Sequence, residues 1–106
     1  MITDQDVEKA LDWMRDNSTK AAQARANRAY LEEYRKVLKG QIMRENSNLP
    51  LGAQEATAYA DERYTVHLNG YKEAVLEDER LRFMFSAAEA KVQAWQTQSA
   101  NNRKGI

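Results

Sequence analysis

Apolar side chains recur every three, four or seven residues along most of the chain, which is the spacing of one face of an α-helix. Strand-like alternation with period two is absent from the sequence. We therefore predict an all-α chain. Two apolar stripes are predicted to form a core seam or an oligomer seam: Leu31, Leu38 and Ile42 in the first half, and Leu68, Tyr71, Leu81, Phe85, Val92 and Trp95 in the second.

One cluster of turn-forming residues divides the chain. Residues 46–52 read Asn-Ser-Asn-Leu-Pro-Leu-Gly and contain the single proline, so we predict a turn there. The sequence predicts a helix over about 4–45, with the polar run 16–19 as the place where it would kink. After the turn it predicts a short helix over about 53–60, a long helix over about 62–99 and a frayed tail over 100–106.

The short connection makes the two long helices antiparallel neighbours. The predicted fold over 1–106 is thus a single helical domain, a long, coiled-coil-like antiparallel hairpin with a short extra helix after the turn. A hairpin of two helices buries only one stripe per helix, so we expect a homo-oligomer that covers further apolar surface. Asp78 lies in the apolar phase, where a polar residue usually fixes register or oligomeric state.

Composition removes several classes of function. The 106 residues include no cysteine and one histidine, so we expect no disulfide, metal or cofactor. The acidic and basic residues near the start argue against a signal peptide or a membrane span, and we expect a cytoplasmic protein. No nucleophile, base and orienting group occur together in a known catalytic spacing, so we expect neither an enzyme nor a small-molecule substrate.

Charge is balanced overall, at 16 basic and 16 acidic residues, but it is unevenly distributed. Residues 15–44 hold eight basic and three acidic residues, a local charge of +5, and residues 61–79 hold two basic and six acidic residues, a local charge of −4. One interpretation is pairing across the seam, with Arg35, Lys36 and Lys39 opposite Glu73 and Glu77. The other is contact with a phosphate backbone.

The nucleic-acid hypothesis rests on basic residues interleaved with tyrosines, as in proteins that bind single strands. The candidate phosphate contacts are Arg25, Arg28, Arg35, Lys36 and Lys39, and the candidate base-stacking residues are Tyr30 and Tyr34. A helical wheel weakens this hypothesis, because most of these cations and the two tyrosines fall on opposite sides of the apolar stripe. His67 has no partner group at a catalytic spacing, so we interpret it as a structural histidine.

Five segments together carry a resemblance: RAYLEEYRK at 28–36, AQE at 53–55, HLNGYKEAV at 67–75, ERLR at 79–82 and AKVQAW at 90–95. On these segments the chain resembles a group of small all-helical proteins of tailed phages and prophages, which are usually without an assigned function. That resemblance implies a gene neighbourhood of recombination and replication, beside single-strand-binding and annealing proteins. The group favours a proline near position 62, where this chain has Glu62.

Three functional hypotheses follow. The first is a non-catalytic phage accessory protein in DNA recombination or replication, a helical oligomer in the bacterial host that binds single-stranded DNA or a DNA-processing protein. The second is an adaptor or inhibitor of a host protein that makes no DNA contact. The third is a virion assembly or scaffolding component.

Overall fold

Three α-helices make up the computed structural model, which describes residues 1–105. Helix α1 spans Asp4–Glu45, α2 spans Leu51–Ala60 and α3 spans Glu62–Lys104. Over the described residues there is no strand, so the predicted all-α fold is confirmed. Helix α1 is continuous through 16–19, where Asn17 Nδ2 donates to the Trp13 carbonyl at 2.8 Å instead of interrupting the helix.

Short polar residues set the starts of the two long helices. At α1, the Asp6 N–H donates to Thr3 Oγ1 at 3.1 Å and the Thr3 N–H donates to Asp6 Oδ2 at 2.9 Å. This reciprocal pair is a capping box, and hydrogen bonds to the Asp6 carboxylate from the backbone and the side chain of Thr3 lower the pKa of Asp6. At α3, the Arg63 N–H donates to Asp61 Oδ1 at 2.8 Å, so Asp61 caps the start of this helix.

Two boundaries differ from the sequence prediction. Leu51 and Gly52 were assigned to the turn but form the first residues of α2. Pro50 is the N-cap of this helix, with φ −58° and ψ 155°, and its carbonyl accepts the first helical hydrogen bond, from the Gln54 N–H. The predicted tail 100–106 is helical as far as Lys104. Ile106, the last residue of that tail, lies outside the described residues.

The described chain divides into two compact units, and both long helices contribute to each. Unit 1 contains Met1–Ala22 and the chain from Glu79 onward, and unit 2 contains Gln23–Asp78. In unit 1, the early part of α1 meets the late part of α3, as shown by the rings of Trp13 and Phe85 at 4.9 Å. The helices are therefore antiparallel in this unit, as the hairpin prediction requires.

Unit 2 repeats that antiparallel order and adds α2. Tyr34 of α1 lies 5.7 Å from His67 of α3, measured between ring centroids. A small core forms where α2 covers the end of α1, built on Leu38, Ile42 and Ala58. Ile42 and Ala58 have no exposed surface.

Helix α3 packs through a heptad stripe whose members alternate by three and four residues. Each member is buried or half-buried, and the stripe consists of Tyr64, His67, Tyr71, Ala74, Asp78, Leu81, Phe85, Ala88, Val92 and Trp95. The predicted seam residues of this helix belong to it with one exception. Leu68 is 47% exposed, and His67 occupies the seam position beside it. Leu68 therefore does not belong to the core seam within the chain, because the phase set by Tyr71 and Leu81 gives that position to His67. In α1, the predicted Leu31 is half-buried, and Leu38 and Ile42 are buried.

Candidate interaction surfaces

Arg28, a predicted phosphate contact, lies in the seam of unit 2. Its Nη1 donates to Asp78 Oδ2 at 3.2 Å, and Asp78 is only 5% exposed. The two residues occupy corresponding positions of the α1 and α3 stripes, so the cation and the carboxylate neutralise each other in the packing layer. Arg28 is thus not part of a free basic face, and Asp78 is the polar seam residue that the sequence indicated.

Lys39, another predicted phosphate contact, is held by α2. Its Nζ donates to Tyr59 Oη at 2.9 Å and to Glu55 Oε1 at 3.1 Å, and it lies 4.8 Å from the centre of the Tyr59 ring. The bond to Tyr59, followed by the bond to Glu55, raises the pKa of Lys39. Lys36 pairs with Glu33 one turn earlier, at 3.5 Å. Neither lysine pairs with Glu73 or Glu77, so the predicted pairing of these lysines across the seam is wrong.

Arg25 and Arg35 are the exposed cations left from the predicted set, and no ion pair of theirs occurs among residues 1–105. At about 100° per residue, both project between about 100° and 180° around α1 from Tyr30 and Tyr34. A single strand that stacks on the tyrosines cannot lie along these arginines without wrapping around the helix. The structure therefore separates the two halves of the predicted nucleic-acid site.

The tyrosines belong to an uncharged stripe on the exposed side of α1, which we call the tyrosine stripe. It consists of Gln23, Asn27, Tyr30, Tyr34, Val37 and Gln41. Tyr30 is 64% exposed and Val37 is 50% exposed. The rings of Tyr30 and Tyr34 stack at 6.0 Å with an interplanar angle of 20°. Sequence periodicity alone shows this second heptad pattern, which the sequence analysis missed because Val37 is its only aliphatic member.

An open groove of about 500 Å³ runs beside the tyrosine stripe in unit 2. The groove is lined on the α1 side by Tyr34, Leu38 and Gln41, and on the α3 side by Glu62, Arg63, Val66 and His67. His67 is half-buried here and contacts Tyr34, in agreement with a structural role. The walls are mainly apolar, so the groove suits an apolar or aromatic side chain.

Arg63 lines the groove and connects the end of α1 to the start of α3. Its guanidinium donates to both carboxylate oxygens of Glu45, at 2.9 and 2.6 Å, and to both of Asp61, at 3.0 Å each. These hydrogen bonds lower the pKa of Glu45 and of Asp61 and raise the pKa of Arg63. This bidentate arrangement joins the last residue of α1 to the first turn of α3.

Unit 1 presents a different apolar face, on the side of α3 that points away from its seam. Phe83 is 72% exposed and Met84 is 40% exposed. The exposed alanines that follow at spacings of three and four are Ala87, Ala90 and Ala94. Trp95, by contrast, is half-buried and donates from Nε1 to Asp4 Oδ1 at 2.9 Å, so it belongs to the packing of unit 1.

Within residues 1–105, no three carboxylate or imidazole side chains are placed to hold a metal ion. In the same part of the chain no helix is long and apolar enough to cross a membrane. Comparison with protein-family models, with curated proteins and with solved structures finds no match to this chain. A function must therefore be argued from the surfaces of the two units.

Proposed function

We propose that this chain is a non-catalytic accessory protein that acts through helix-face contacts with another protein. Following the resemblance to phage proteins, the partner is a DNA-processing protein of recombination or replication in the host cytoplasm. The observation that carries this proposal is Phe83, an aromatic side chain left 72% exposed on the outer side of α3 in unit 1. Exposed aromatic side chains of this kind are frequent centres of protein interfaces.

Direct binding of single-stranded DNA is the weaker form of the proposal. Arg28 and Lys39 are held by carboxylates of the same chain, and Arg25 and Arg35 point away from the tyrosines. With zero net charge, the protein lacks a general attraction for a phosphate backbone. Base stacking on Tyr30 is the second candidate function. Tyr30 stacks on Tyr34, and its own ring is exposed enough to contact a base.

The test measures binding of the purified protein to a bacterial single-strand-binding protein and to a phage annealing protein, by biolayer interferometry. We expect binding to one of them, and Phe83→Ser is expected to weaken it by at least about tenfold. Leu51→Ser is the matched control, since Leu51 is 69% exposed but lies in α2. Equal affinities for the Phe83 variant and the wild type would exclude this face.

The same preparation is titrated with labelled single-stranded and double-stranded DNA at low and at moderate salt. We expect no salt-dependent binding. Tight binding that falls steeply with salt, and that is lost in an Arg25→Gln, Arg35→Gln double variant, would instead establish direct DNA contact.

A further inference from the structure

Helix α2 has few stabilising features of its own. It contains 10 residues, and isolated helices shorter than about 12–15 residues are only marginally stable in water. Among residues 1–105, no side chain caps its start at Pro50, and Gly52 in its first turn lowers its helix propensity. Its first turn contains no acidic residue and its last turn contains no basic residue, so neither end favours the helix dipole. The helical state of α2 therefore depends on its contacts with α1 and α3.

The docking of α2 buries little apolar surface. Seven of its ten residues are exposed, and its one buried residue is Ala58, which packs on Leu38 and Ile42 of α1. The larger apolar side chains of α2 lie mostly outside this contact, since Leu51 is 69% exposed and Tyr59 is 52% exposed. Hydrophobic stabilisation is roughly proportional to the apolar area removed from water, so this contact contributes far less than the long seam of α1 and α3.

A second attachment of α2 is polar and stays in contact with water. It consists of the hydrogen bonds from Lys39 of α1 to Glu55 and Tyr59, and the ring of Tyr59 also meets that of Tyr64 edge-on at 5.3 Å. The side chain of Lys39 is 27% exposed and that of Glu55 is 48% exposed. Water can therefore replace both partners of this ion pair when α2 moves away.

The two ends of the segment 46–60, which contains α2, are held without any contribution from α2. The Arg63 guanidinium joins Glu45, the last residue of α1, to Asp61, the residue that follows α2. Asp61 also caps α3, and its φ of −69° and ψ of 137° are extended values that any residue adopts. The segment can therefore open as a loop with fixed ends, and these bonds stay in place.

We propose that α2 is a displaceable strap, which opens while α1 and α3 of unit 2 stay packed, and that Lys39 is its latch. In the closed form α2 covers Ile42, whose side chain has no exposed surface. Opening exposes Ile42 and Leu38, and Leu38 also lines the groove beside the tyrosine stripe. The groove then extends into the former core, so the position of α2 sets how much apolar surface unit 2 presents.

Thiol labelling tests whether α2 opens separately from the rest of unit 2. The chain contains no cysteine, so Ala58→Cys places a single thiol on the buried side of α2. Ala74→Cys is the matched control, because Ala74 is an alanine of the α3 stripe in the same unit and is 6% exposed. With rates normalised to those of the urea-unfolded variants, the Ala58→Cys thiol is expected to react with DTNB at least about 100-fold faster than the control thiol.

The urea dependence of the two labelling rates distinguishes local opening from global unfolding. Local opening exposes little surface, so the rate for Ala58→Cys is expected to change little below the unfolding transition, whereas the rate for Ala74→Cys is expected to rise steeply. Equal protection of the two thiols, or the same urea dependence for both, would overturn the proposal.

Replacement of Lys39 tests the latch. Lys39→Ala is expected to raise the labelling rate of the Ala58→Cys thiol by at least about fivefold and to leave that of the Ala74→Cys thiol unchanged. Lys36→Ala is the matched control, since Lys36 is an exposed lysine of α1 whose partner Glu33 lies on the same helix. The assignment of Lys39 as a latch is wrong if both lysine variants have the same effect, or if Lys39→Ala accelerates both thiols equally.

Hydrogen exchange of the unmodified protein provides an independent measurement, in which no cysteine disturbs the packing of α2. The amides of residues 55–60 are expected to exchange at least about 100-fold faster than those of residues 71–81 in α3. Equal protection of the two segments would mean that α2 opens only when unit 2 unfolds, and would refute the strap. This proposal does not depend on the Phe83 face, so the two fail separately.

Discussion

Removal of Arg28 is expected to cost more stability than removal of its partner Asp78. The two variants differ in how well water can hydrate the charged group that remains. Arg28→Ala leaves a carboxylate that is 5% exposed without its guanidinium, whereas Asp78→Ala leaves an arginine whose side chain is 30% exposed and can be hydrated. Breaking a buried ion pair by removing one partner costs about 3–5 kcal/mol when the remaining charge is sealed from water.

We therefore expect about 3 kcal/mol of lost unfolding free energy for Arg28→Ala and about 1 kcal/mol for Asp78→Ala. The apolar double variant Arg28→Met, Asp78→Leu is expected to lie within about 1 kcal/mol of the wild type, because it removes both desolvated charges together. Arg25→Ala is the matched control, as an exposed arginine of the same helix, with an expected change of at most about 0.5 kcal/mol.

Urea unfolding followed by far-UV circular dichroism, at one fixed protein concentration, measures all four variants. The reasoning is refuted if Asp78→Ala destabilises as much as Arg28→Ala, or if the apolar double variant is less stable than both single variants. Either result would mean that the exposure of the remaining charge does not set the cost of breaking this pair.

Three further substitutions test other parts of the fold. Ile42→Ala removes a side chain with no exposed surface and is expected to cost about 3 kcal/mol in the same urea assay. Leu68→Ser is expected to change the free energy of unfolding by less than about 1 kcal/mol, and a larger loss would mean that Leu68 packs in the seam. Arg63 lowers the pKa of Glu45 and Asp61, so its stabilisation is present above the ordinary carboxyl pKa and is lost as pH falls through the folded-state values. Arg63→Gln should therefore show a smaller drop in melting temperature than the wild type below about pH 4.

The helices and the antiparallel order were predictable because they depend on local signals. One proline, a cluster of short polar residues and a capping Asp61 mark the ends of long periodic segments. The exact start of α2 was not predictable in the same way. A proline at the cap position and a glycine in the first turn are typical both of a loop and of a helix start, and the packing of Ala58 on Ile42 favours the helix.

The predicted nucleic-acid surface of α1 was harder to assess from the sequence. Its charge depends on which basic side chains form ion pairs within the chain. Lys39 is bound by two side chains of α2. This helix is too short for sequence periodicity to predict how it packs on α1. His67 shows a different limit. Its neighbour Leu68 is more apolar, yet the heptad phase gives the seam position to the histidine. Phase therefore decided burial here more strongly than side-chain type did.

The polar and small residues of the seam in unit 2 also give a physical reason for the predicted homo-oligomer. Its α3 stripe includes His67, Ala74 and Asp78, and the largest side chain of this unit that is fully buried is Ile42. A seam of this kind buries little apolar area per helix, so association that covers further apolar surface would add a large fraction of the total. Folding and association should then be coupled. The melting temperature of the wild type is expected to rise with protein concentration, and a melting temperature independent of concentration would refute the coupling.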